Sequence, residues 1–174
     1  MVCAVVAGAA AALAGPPLAC ARAPVANRLP AAPTIWFVGA DRPPNLPPGG
    51  HRFLGTLSPG EAKRAIAGCR AIISASLAEA QPLAAIEATM AGRPALLSDI
   101  PAHRELKQAI ADIVLFDPRS VESFVDGFAA IEAQSVDPAV RRRLQEAAQQ
   151  VFGPQGFAEN VRQVLGRLPV AGAS

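Results

Sequence analysis

The sequence predicts an α/β fold, a doubly wound parallel sheet covered by helices on both faces. Short runs such as Ile35-Trp36-Phe37-Val38, Ala71-Ile72-Ile73-Ser74-Ala75 and Ile113 to Phe116 are apolar throughout, as strands buried on both sides must be. From Pro33 onward these runs alternate with segments carrying helix start and stop signals. Parallel strands need right-handed crossovers, so such a sheet receives ligands beyond the C-terminal ends of its strands. No internal repeat is visible.

The elements follow in order. Residues 1–33 are rich in Ala and Pro, with Val2 to Val6 able to form a buried strand, and read as a degenerate first β-α unit. Ile35 to Val38 is a strand closed by Gly39, and Asp41 to Gly50, with its prolines and glycines, is a loop. Arg52 to Leu54 is a brief strand ended by Gly55. Ser58-Pro59 opens a helix, with Glu61 placed to complete a capping box, and Ala62, Ala65, Ile66 and Cys69 turned to the core. Ala71 to Ala75 is a strand, Pro82 to Ala91 a helix stopped at Gly92, and Pro94 to Ser98 a strand. A helix from Pro101 to about Ile110 and a strand from Ile113 to Phe116 come next. Helices at Val121 to Glu132, Pro138 to Phe152 and Gln155 to Leu168 complete a domain over 34–168, and 169–174 form a tail.

Composition excludes several classes. At 174 residues the chain holds one domain with a sizeable core. Its 16 Lys and Arg against 14 acids give a net charge of +2, which selects neither nucleic acid nor an anionic membrane. The run Arg141-Arg142-Arg143 reads as one wet helix face. Cys3, Cys20 and Cys69 form no CxxC pair, metal spacing or disulfide framework, so a reducing cytoplasm is expected, with Cys69 in the core. Met1 to Ala21 is uncharged, yet it lacks a basic start and is broken by Pro16 and Pro17, against a signal peptide. At most peripheral membrane contact is expected. There is no GxGxxG after a strand, and no GxxxxGK[ST], GxSxG or HExxH. A phospho-receiver would need an acidic pair after its first strand and a Lys after its last, and neither is in place.

The informative segment is Ser74 to Glu105. Glu79 falls in a strand-to-helix loop and Glu87 in the second turn of the helix begun at Pro82. Leu83, Ile86 and Met90 make an apolar stripe, while Ala84, Ala85 and Ala88 keep the other side small, so the helix is expected to be buried nearly all round. A lone Glu87 in such a helix needs donors, and ribose hydroxyls are one such set. The helix start beside Glu79 offers free N–H groups and a positive dipole end, which suits a diphosphate.

Glu79-x7-Glu87 followed by Ala88-Thr89-Met90-Ala91-Gly92-Arg93-Pro94 resembles the EX7E signature and the EAMA-G-P run of glycosyltransferase family 4. Phe53-Leu54-Gly55, the run Ala71 to Ser76, Ser98 to Glu105, Leu115 to Pro118 and Phe152 to Leu165 are similar to that family's other motifs, in the same order. The resemblance covers Thr34 to Leu168 and implies the Rossmann-like C-terminal half of a GT-B fold. It implies retaining transfer of a sugar from a nucleotide-sugar to a glycan or small-molecule acceptor. Glu79 would then be catalytic, contacting the transferred sugar, and Glu87 would hold the ribose. Ala80, Gln81, Leu83 and Ala84 would complete the donor site, with the amides of Leu83 and Ala84 toward the diphosphate. No cofactor and no metal is expected. A separate acceptor-binding half is an expected partner. The chain departs from the family pattern in two places. Ala80-Gln81-Pro82 stands for a glycine-rich loop, and residues 1–33 hold no Arg and Lys pair of the kind with which that family grips the diphosphate, since Arg22 and Arg28 do not stand in the pattern.

Plainer readings stand beside these. Glu79 and Glu87 can be helix-start acids that complement the macrodipole. His103, in a helix's first turn, is expected at the surface or as a cap, and His51 at the surface. Gln81 either orients a sugar hydroxyl or pairs with loop backbone, and Trp36 belongs to the core. The functional alternatives are a catalytically inactive nucleotide-binding module and a GT-B type nucleotide-sugar epimerase.

Overall fold

A computed structural model describes residues 5–7, 34–39 and 52–166. Among these residues are the strands β1 (Val5–Ala7), β2 (Trp36–Phe37), β3 (Arg52–Phe53), β4 (Ile72–Ser74), β5 (Ala95–Ser98) and β6 (Val114–Phe116). They join in one sheet of order β3-β2-β1-β4-β5-β6. Every pair is parallel. β1, from the Ala/Pro-rich stretch, sits between β2 and β4 with Val6 opposite both Phe37 and Ile73. The strand order reverses there, so the switch point of the fold lies between the C-terminal ends of β1 and β4. β4 and β5 are buried at every position, which explains their unbroken apolar sequences.

The helices are α1 (Pro59–Gly68), α2 (Leu83–Met90), α3 (Pro101–Ala109), α4 (Val121–Val136), α5 (Pro138–Phe152) and α6 (Pro154–Gly166). α1 carries the capping box its sequence announces: the Ser58 hydroxyl accepts from Glu61 N–H, and the Glu61 side chain accepts from Ser58 N–H. Side chains of α1, α2, α3 and α5 form the core on one face, where Ile66, Cys69, Ala85, Ala88, Leu106, Val140 and Leu144 meet Ile72 and Leu97. On the other face Phe128 and Ile131 of α4 pack on Ile73, Leu96 and Phe116. Cys69 is a core residue, as its sequence context suggests: it is 1% exposed and its thiol donates to Ile66 O at 3.0 Å. Trp36 is half-buried and packs against the core.

Two expectations are corrected. α2 is not buried all round. Ala85, Ile86, Ala88 and Thr89 face the core, but Leu83 is 60% exposed and Glu87 is exposed. Leu83, Glu87 and Ala91 share a side at helical spacing, exposed at Leu83 and Glu87 and half-buried at Ala91. The arginine run is a wet face only in part: Arg142 and Arg143 are exposed as expected, but Arg141 is half-buried. Arg141 Nε donates to Gly92 O at 3.3 Å, Arg142 faces Glu146 at 3.7 Å, and Arg143 grips Asp112 through two bonds of 3.0 and 3.1 Å.

Among the described residues no helix is long and apolar enough to cross a membrane. Cys3, Cys20, His51 and the expected loop Asp41 to Gly50 lie outside the described residues.

Candidate active site

The end of β4 builds the site. The strand stops at Ser74 and the chain crosses the top of the sheet before α2 begins after Pro82, whose ring nitrogen has no hydrogen to donate. Ala75 and Ser76 are still buried, whereas Leu77, Ala78, Ala80 and Gln81 are exposed. Glu79 folds back over the strand ends, with 20% of its side chain exposed. Its Oε1 accepts from Ser74 Oγ at 3.2 Å. Its Oε2 lies 3.4 Å from Nε2 of His103.

The expected surface position of His103 is overturned: the ring is 0% exposed. Its Nδ1 lies 2.7 Å from the carbonyl oxygen of Ser98, the last residue of β5, and 3.2 Å from Ser98 Oγ. Ser98 Oγ in turn donates to the Ser76 carbonyl. The cause is helical periodicity. In α3 the buried positions are His103 and Leu106, and Ile110 extends that line into the core. Sequence reasoning weighed His103 by its distance from Pro101 and overlooked that it heads this apolar face.

The start of α2 presents backbone donors. Leu83 N–H is engaged by Gln81 O at 3.0 Å, and those of Ala85 and Ile86 go to Pro82 O. The amides of Ala80, Gln81 and Ala84 make no hydrogen bond among the described residues. They surround the positive end of the helix. The Gln81 side chain is exposed and forms no bond with the loop backbone among the described residues.

Glu87 is not embedded among apolar side chains. It borders an open groove of about 310 Å³ between α1 and α2, together with Lys63, Ile66, Met90 and Ala91. Glu79 thus precedes the helix above the strand ends, and Glu87 lies in its second half, in the groove beside its C-terminal turn. Asp99, just after β5, forms a bidentate pair with Arg104, with bonds of 2.5 and 2.9 Å. That hydrogen-bonded guanidinium holds the Asp99 carboxyl below its ordinary range. Among the described residues no group of three or more His, Cys, Asp or Glu stands together to hold a metal ion.

A carboxylate and open amides gathered at the switch point of a parallel sheet define a doubly wound α/β domain with its ligand face at the strand ends. Residues 46–151, more than half of the chain, match the family described as Glycosyl transferases group 1, and the chain belongs to that family. Its fold is that of the C-terminal half of a GT-B glycosyltransferase. A solved structure of Anabaena Alr3699/HepE, in complex with UDP and glucose, is similar at a TM-score of 0.64 and 14% identity, over 96% of this chain and 48% of that one. Sucrose-phosphate synthase (tll1590) from Thermosynechococcus elongatus is similar at a TM-score of 0.64 and 18% identity, over 87% of this chain and 42% of that one. The glycotransferase of kitacinnamycin is similar at 0.59 and 18%, over 94% and 43%. The chain therefore spans less than half the length of each. No curated protein matches it significantly.

Proposed function

We propose that this domain binds the nucleotide-sugar donor of a retaining glycosyltransferase and transfers the sugar together with an acceptor-binding half. Membership of the family and the fold of the UDP- and glucose-bound neighbour support a nucleotide-sugar as ligand. The observation that carries the reading is the arrangement around α2. Glu79 lies over the strand ends, the open amides of Ala80, Gln81 and Ala84 lie at the helix start, and Glu87 borders the groove along the second half of α2.

The chemistry follows from these groups. A departing diphosphate gathers negative charge, which fixed N–H donors and a helix N-terminus stabilise without reorganising. Leu83 N–H joins them only by releasing Gln81 O. An oxocarbenium-like sugar is positively charged, and Glu79 is the carboxylate placed to contact it. Glu87 accepts from the ribose hydroxyls. Its exposure suits that role, since an open carboxylate needs no partner until the nucleotide arrives. The bases left open are uracil, guanine and adenine, and the acceptor is a glycan or a small molecule. The cytoplasm is the proposed location.

Titration calorimetry with UDP, GDP and ADP tests this. One of them binds weakly to the wild-type chain, and Glu87→Ala reduces that affinity about tenfold or more, the worth of hydrogen bonds to a charged acceptor. Tight nucleotide binding that is indifferent to Glu87→Ala overturns the assignment.

A further inference from the structure

We propose that His103 is a positioning residue for Glu79. Held by the backbone of β5, its ring meets the carboxylate through one shared proton and fixes the orientation that faces the donor sugar. The proposal rests on the reading of Glu79 as the sugar-contacting carboxylate.

The proton count carries the argument. Ser98 O, at 2.7 Å from Nδ1, is a carbonyl oxygen and only accepts, so Nδ1 bears a hydrogen. The Ser98 hydroxyl spends its own proton on the Ser76 carbonyl, so toward Nδ1 it too is an acceptor. The remaining ring nitrogen, Nε2, faces Glu79 Oε2 at 3.4 Å. A bare Nε2 and an ionised carboxylate are both acceptors and would repel. The contact holds only when a proton lies between them, on the ring or on the acid.

Burial makes this more than a chance approach. The imidazole is 0% exposed, so bulk solvent does not reach it, and a ring nitrogen left unpaired there is costly. Glu79 stands on a loop outside both β4 and α2, where a carboxylate is ordinarily free to change rotamer. Here Ser74 holds one oxygen and His103 meets the other. Among the described residues no other charged group bonds to either partner. The nearby Asp99 and Arg104 are engaged with each other. The last residues of β4 and β5 thereby set a side chain that belongs to neither strand, the preorganisation that transfer chemistry requires.

The chain has only two histidines, which makes nitrogen-15 NMR of histidine-labelled full-length protein decisive. A His51→Gln spectrum assigns the His103 ring. The expected result is that Glu79→Ala moves the His103 Nε2 resonance, by loss of the shared proton or of the hydrogen bond from the acid, while Nδ1 stays protonated. A histidine that merely fills the core would show the same ring spectrum in both proteins, and that result overturns the proposal. Because Glu79 is on a loop, this comparison does not depend on whether a His103 variant folds.

Calorimetry with UDP against UDP-glucose, and with the matched GDP-mannose and ADP-glucose pairs, supplies the second arm. The wild type binds a sugar conjugate more tightly than its bare nucleotide, and Glu79→Gln and His103→Gln each remove most of that advantage, roughly tenfold, leaving nucleotide affinity in place. An advantage lost in Glu79→Gln but kept in a folded His103→Gln leaves the donor reading standing and overturns the role of His103. No advantage in the wild type removes the sugar-contact reading of Glu79, and with it the task assigned to His103.

Discussion

Asp99 and Arg104 show how one pair ties pH to stability beside the site. The guanidinium donates two hydrogen bonds to the carboxylate, and its charge adds to their effect. The folded-state pKa of Asp99 is therefore below its unfolded value. The sign is fixed: the pair stabilises the fold above the ordinary aspartate range, and this is lost as pH falls through the folded pKa. Both groups are well exposed, so solvent and salt screen the effect. Thermal unfolding should show Asp99→Asn destabilised relative to wild type at pH 7, with the gap closing in acid. A gap that widens in acid contradicts the pairing. At this scale sequence legibility was uneven. Glu79 stood out because it precedes a helix start in a recognisable spacing. The environment of Glu87 was misjudged, because only Ile86 of the stripe Leu83, Ile86, Met90 is buried, while the buried side runs through Ala85, Ala88 and Thr89. His103 was missed, although its spacing from Leu106 and Ile110 placed it on an apolar face.

At the scale of elements, the turn from α2 into β5 depends on Gly92. Its φ is +66°, a left-handed conformation that an L side chain rarely adopts. A Cβ there would also meet the Arg141 carbonyl oxygen of α5 at 3.0 Å, while Arg141 Nε donates to Gly92 O. Gly92→Ala should therefore cost about 1–2 kcal/mol for the backbone alone, read as a lower midpoint in urea with an unchanged slope. An unaltered midpoint would show that residue 92 does not need its left-handed conformation. Gly127 acts differently. It lets α4 come so close to β5 that an added Cβ would lie 2.5 Å from Leu96 Cδ1. Helix starts were plainly written, since Ser58-Pro59 with Glu61 and Asp137-Pro138 are local capping signals. The role of α5 as the helix that receives α2, α3 and α6 was not, because packing between distant segments leaves no local mark.

For the whole molecule, strand order decides which parts are firm. β4 and β5 are buried throughout and flanked by strands on both sides, whereas β3 lies at the edge with Arg52 exposed. Native-state hydrogen exchange should find the slowest amides at Ile72 to Ser74 and Ala95 to Ser98, and far faster exchange at Arg52 and Phe53. Equal protection across the sheet would mean that it opens as one unit. The fold class was readable from apolar strands alternating with helices. The strand order was not, because no residue type records which strand lies beside which. The position of β1 has a consequence for synthesis. Val5 to Ala7 leave the ribosome ahead of every partner, with Phe37 following Val6 well before Ile73 does. Until Ile73 emerges the central ribbon has a neighbour on one side only, so the sheet closes around its oldest segment in two stages.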